Sequence, residues 1–102
     1  MRQIVDIVLR EMVAGRNVYE AEQISVPWDN RSFWLNDNVE FRIVLSEQNN
    51  EGEEVRRDVT NEYIIDVPKM QGKVLGNDGN IVFKDVKVTY SKKVHLQFEK
   101  EH

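Results

Sequence analysis

Val39-Glu40-Phe41-Arg42-Ile43-Val44-Leu45 is the stretch on which the fold turns. Val39, Phe41, Ile43 and Leu45 alternate with Glu40, Arg42, Val44 and Ser46. Successive side chains of an extended strand point to opposite faces, so this spacing predicts a strand with one buried face. Tyr63, Ile65 and Val67 repeat the pattern until Pro68 stops it, and Val86, Val88 and Tyr90 repeat it again. A Ser91-Lys92-Lys93 connection then leads to Val94, Leu96 and Phe98.

Turn chemistry separates these runs. Residues 47–54 (EQNNEGEE) read as a polar loop, and Val55, Arg57 and Val59 as a weaker edge strand. Lys73–Leu75 and Asn80–Phe83 flank Gly76-Asn77-Asp78-Gly79, where the Asp-Gly pair supplies the positive φ that a tight hairpin requires. Towards the N-terminus, Pro27 closes a run from Val18 to Val26. Trp28-Asp29-Asn30-Arg31-Ser32 is turn-like, Phe33-Trp34-Leu35 follows, and Asn36-Asp37-Asn38 is a second turn. Residues 2–13 admit two readings. Ile4, Val5, Val8, Leu9 and Met12 share one face of a helical wheel, with Gly15 placed as a cap. The β-branched Ile4, Val5, Ile7 and Val8 favour a strand, joined to Val18–Val26 by a hairpin turn at residues 14–17. The strand is the preferred reading, with one short N-terminal helix as the alternative.

About seven or eight short strands at spacings of roughly 8–12 residues predict a mainly β, antiparallel β-sandwich. Residues 1–102 hold no repeat, linker or low-complexity tract, so a single domain is expected. The span from Asn77 to Phe98, NDGNIVFKDVKVTYSKKVHLQF, resembles the closing strands of immunoglobulin-like repeats in bacterial and phage surface proteins. Asn36 to Leu45 resembles their early strand. Every matching position is a core or turn position, so the resemblance implies architecture and transfers no functional residue.

Composition narrows the function classes. No cysteine is present, which excludes disulfides, thiolate metal sites and cysteine nucleophiles. No apolar run approaches the ~18–20 residues of a membrane span, and no signal peptide is legible, so a soluble, cytoplasmic chain or a virion component is expected. The net charge of −4 is unevenly spread. Residues 1–68 hold 14 Asp/Glu against 7 Arg, whereas residues 69–102 hold 7 Lys against 4 Asp/Glu. An acidic balance disfavours nucleic acid, whose binding rests on phosphate neutralisation.

Catalytic groups are scarce. His95 alternates out of phase with Val94, Leu96 and Phe98, which places it on the outward face, and His102 lies in a polar tail. Neither Ser46 nor Ser91 has a nucleophile context. Gly76–Asn80 matches only a fragment of a calcium loop, which a hairpin turn explains equally well. No catalytic residue, metal ligand or cofactor is assigned, and an enzyme is not expected.

Two candidate binding sites stand out. Trp28, Asp29, Asn30, Arg31, Phe33 and Trp34 gather the residue types enriched at interface hot spots, with at least one of the two tryptophans expected in the core. Glu51, Glu53 and Glu54 form an acidic loop beside Arg56 and Arg57. The expected function is a non-catalytic protein-interaction or structural module, binding a protein partner or itself. Such a module would suit a larger assembly such as a phage particle or cell-surface complex. The alternatives are a small acidic inhibitor of a basic enzyme surface, and a sugar- or peptide-binding domain using exposed tryptophans. Lys84, Lys87, Lys92 and Lys93, interleaved with Asp85, read as charges that keep an edge soluble.

Overall fold

The computed structural model describes residues 2–28 and 33–93. Over these residues the protein is mainly β and holds two sheets. The first is three-stranded, with β1 (Gln3–Leu9), β3 (Val39–Gln48) and β4 (Glu54–Asp58) in the order β1-β3-β4. The second contains β2 (Arg16–Pro27), β7 (Asn80–Lys92) and β5 (Tyr63–Asp66) in the order β2-β7-β5, with β6 (Lys73–Leu75) also paired to β7. The helix α1 is a single turn, Leu35–Asn38. Among the described residues no helix is long and apolar enough to cross a membrane.

Among the described residues the period-2 runs form strands where they predict them; the predicted strand through Val94, Leu96 and Phe98 lies outside the described residues. In β3 the side chains of Val39, Phe41, Ile43 and Leu45 are buried, and Glu40 is exposed. The N-terminal ambiguity resolves to a strand over Gln3–Leu9, so the short N-terminal helix is not formed. Four β-branched residues in five prefer the extended chain, where their χ1 is unhindered. The predicted hairpin between this strand and Val18–Val26 is also absent. β1 instead runs parallel to β3, with Asp6 opposite Arg42 and Ile7 opposite Ile43, a departure from the purely antiparallel arrangement.

A second correction concerns β7. The sequence breaks between Phe83 and Val86, yet the backbone runs unbroken from Asn80 to Lys92. Ile81 and Phe83 are buried before the break, and Val86, Val88 and Tyr90 after it, so the buried face changes parity. β2 changes with it: Tyr19 and Ala21 are partly buried, then Ile24 and Val26 are buried. The register survives, with Ala21 opposite Val86 and Gln23 opposite Lys84. No residue is inserted as in a bulge. Asp85 takes φ +53°, a left-handed conformation that Asp tolerates better than most residues, and the ribbon turns its other face inward.

Both sheets supply one buried cluster. Ile7, Leu9, Phe41, Ile43 and Leu45 come from the first sheet, and Ile24, Val26, Ile81, Phe83, Val86 and Val88 from the second. The rings of Tyr19 and Phe41 meet across the sheets with centroids 6.2 Å apart. Large aliphatic and aromatic side chains of this kind stabilise by about 1.5–3 kcal/mol each when fully buried, as an upper estimate.

Candidate binding surface

Pairing between β2 and β7 ends at Pro27 opposite Asn80. One residue further, the Trp28 N–H donates to the Gly79 carbonyl at 2.7 Å, fixing its backbone beside the β6–β7 turn. That turn is a single 3₁₀ turn, Gly76–Asp78, followed by Gly79 at φ +70°. The glycine meets the positive φ that the Asp-Gly pair foreshadows.

Residues 33–35 lie antiparallel to residues 70–72. The Gly72 N–H donates to the Phe33 carbonyl at 2.8 Å, Trp34 bridges Gln71, and the Leu35 N–H donates to the Met70 carbonyl at 3.0 Å. Leu35 is fully buried, and Asn38, only 6% exposed, donates from Nδ2 to the Trp34 carbonyl at 2.8 Å. Their rings nevertheless face solvent: Trp28 is 44% exposed, Phe33 39% and Trp34 38%. The expectation of one core tryptophan is therefore corrected. Leu35, the first residue of α1, supplies the buried anchor in place of Phe33 or Trp34. Asp29, Asn30 and Arg31 of the same candidate site lie outside the described residues, as do His95 and His102.

Beside this segment runs a groove of about 360 Å³ lined by Met70, Gln71, Lys73, Leu75, Val82 and Lys84. Register explains it: Lys73 stands opposite Val82 and Leu75 opposite Asn80, with Lys84 two residues further along β7. Lys73, Leu75, Val82 and Lys84 thus share one face of the hairpin. Lys73 and Lys84 make no ion pair among the described residues. Leu75 is 45% exposed on this face, which extends the apolar surface along β6. Met70, Lys73 and Leu75 escape a reading of the sequence because β6 is three residues long. The signal available is the hairpin register itself, counted outward from Gly76–Gly79.

The acidic candidate sits at the tip of the β3–β4 hairpin. It is a tight turn rather than the eight-residue loop the sequence suggests. The Asn49 side-chain oxygen accepts from the N–H groups of Glu51 and Glu53, each at 2.9 Å, and the Gly52 N–H donates to the Asn49 carbonyl at 3.0 Å. Glu54 is engaged elsewhere. Its carboxylate accepts from the Ser46 hydroxyl at 2.7 Å and from Arg56 Nε at 2.8 Å. The Ser46 hydrogen bond first, then Arg56, holds its pKa below the usual carboxylate value. Glu51 and Glu53 are left as the outward charges of the tip, with Val55 46% exposed beside them. Among the described residues, no three His, Asp or Glu side chains gather in a way that could hold a metal ion.

Compared with protein family models, with curated proteins and with solved structures, the chain matches none.

Proposed function

We propose that the protein is a non-catalytic interaction or structural module on an immunoglobulin-like β-sandwich scaffold, an accessory component of a larger assembly such as a phage particle or cell-surface complex. One observation carries this reading. Trp28, Phe33 and Trp34 are each about two-fifths exposed on backbone that hydrogen bonds hold in place. A flexible loop would lose entropy on binding, whereas rings on a fixed backbone meet a partner with little to reorganise. Large exposed apolar patches rimmed by polar residues mark interaction sites, and tryptophan dominates their energetics. The sandwich reading is supported by the single buried cluster to which both sheets contribute.

Trp28→Ala is the test. Its ring is not part of the buried cluster, so unfolding free energy should change by no more than about 0.5 kcal/mol. Affinity for the partner, identified by pull-down and mass measurement, should fall at least about tenfold, as for a hot-spot aromatic. An unchanged affinity removes this surface as the binding site.

A further inference from the structure

We infer that the groove beside β6 receives the β3–β4 hairpin tip of a second copy of this chain, so that the protein assembles head to tail. The inference rests on the interaction-module reading and names its partner. The groove is apolar at Met70, Leu75 and Val82 and cationic at Lys73 and Lys84. The tip is its counterpart, with Glu51 and Glu53 outward and an exposed Val55 next to them. Both carry charge left unpaired within the described chain. Arg56 and Arg57 answer Glu54 and Glu47, Glu53 accepts a neutral hydrogen bond from Asn49 Nδ2 at 3.2 Å, and among the described residues neither groove lysine forms an ion pair.

Geometry forbids the two from meeting within one molecule. Phe33–Leu35, paired to residues 70–72 at the groove, lead directly into α1 and then into Val39, the first residue of β3. The tip follows Gln48, the last residue of the same ten-residue strand. At ~3.3 Å per residue the two lie about 30 Å apart, at opposite ends of β3. Taken one at a time, tip in groove is a heterologous contact, which propagates into a ring or filament; an antiparallel two-fold dimer, in which each tip enters the other copy's groove, is the competing closure and stops at two copies. Exposed Trp28, Phe33 and Trp34 adjoin the groove end and would be covered in the same contact.

Sedimentation of the full chain over a concentration series, at low and high salt, tests this. Wild type should grow past a dimer with concentration and shrink as salt screens the pairs. Lys73→Glu with Lys84→Glu, and separately Glu51→Lys with Glu53→Lys, should each weaken association at least about tenfold by setting like charges together. Mixed in equal amounts, the two variants should assemble again, because every tip then meets a groove of opposite charge. Lys87→Glu with Lys93→Glu changes net charge equally away from the groove and should assemble as wild type does. Each pair of changes stands at a different end of the molecule, so misfolding of one leaves the other decisive. A wild type that stays monomeric at low salt overturns the inference, as do folded charge variants that assemble normally or a mixture that does not recover. A monomeric wild type that still binds another protein through Trp28 would leave the module reading standing and remove only self-assembly.

Discussion

Three arginines and two lysines of this chain end in opposite circumstances. On the β1-β3-β4 sheet, Arg42 contacts Asp6 at 3.4 Å and Asp58 at 3.8 Å, linking all three strands. Arg56 holds Glu54 at 2.8 Å, and Arg57 lies 3.8 Å from Glu47. At the far end of β3, Lys73 and Lys84 border an apolar groove and pair with no carboxylate among the described residues. A strand ladder sets side chains opposite one another at fixed spacing, so its charges are answered inside the sheet. Lys73 and Lys84 stand opposite Val82 and Gln23, which carry no charge to answer them. Counting residues alone assigns the acidic half of the sequence the larger unbalanced charge. At the β3–β4 hairpin, pairing answers Glu47, Glu54 and Asp58 and leaves Glu51 and Glu53 outward at the tip. Exposed pairs of this kind are worth about 0–1 kcal/mol, so their main effect is to neutralise a surface rather than to hold the fold.

The sharpest way to break the lysine end without touching its charges is Gly72→Ala. A Cβ there would collide with Ile81 Cγ2 and come within 2.8 Å of Phe83 Cε1. Both are fully buried core atoms with no room to retreat. Overpacking of this kind costs about 1–3 kcal/mol, and thermal unfolding should show a Tm drop of several degrees. A stability equal to wild type would mean that residues 70–72 are not seated on the core. Next in size is Tyr63→Phe. The Tyr63 hydroxyl accepts from the Val13 N–H at 3.0 Å and so ties the β1–β2 crossover to β5. Leaving that partly buried N–H unpaired should cost about 1–2 kcal/mol in denaturant unfolding, and it should leave both charged ends unchanged.

The contrast between these two ends also marks how far a sequence can be read. β3 is legible because three consecutive i, i+2 relations (Val39 to Leu45) agree, and β6–β7 because the Asp-Gly turn demands a hairpin. The unity of β7 is hidden by Lys84-Asp85, two exposed residues in a row that look like a connection. They are the point at which the β2–β7 ribbon turns over. Parallel pairing of β1 with β3 is invisible locally, since no turn links them and register between distant strands is decided by the shared core. At the candidate site, the residue types announce Trp28 and Trp34 as candidates. What they do not announce is that Leu35 takes the buried position, because three large apolar residues in succession leave the phase of alternation open. The groove lysines are lost among the chain's five others until register places Lys73 and Lys84 on one face.

The smallest effect expected is the one that best separates the paired end from the unpaired one. Asp58 closes β4 by accepting the Thr60 N–H at 2.9 Å, and Thr60 in turn accepts the Ile43 N–H at 2.9 Å through its hydroxyl. The Thr60 hydrogen bonds first, and Arg42 after them, hold the Asp58 pKa below its ordinary value of 3.8. A carboxyl whose folded pKa is depressed contributes stability above its unfolded pKa and loses it as pH falls through the folded value. Asp58→Asn keeps an acceptor for Thr60 and removes only the charge. At neutral pH it should therefore cost less than about 1 kcal/mol, since the side chain is half-exposed and solvent screens the pair. The difference from wild type should shrink as pH falls below 3.8, where the unfolded carboxyl protonates, and close once pH passes the lower folded value, where the folded carboxyl is neutral too. Lys73→Gln at the groove leaves every carboxylate and its partners in place, so it should show no such convergence over the same acid range. Denaturant unfolding of wild type and both variants at pH 7 and pH 3 measures this. A gap for Asp58→Asn that stays constant with pH would mean that the carboxylate is no better held in the folded protein than in the unfolded one.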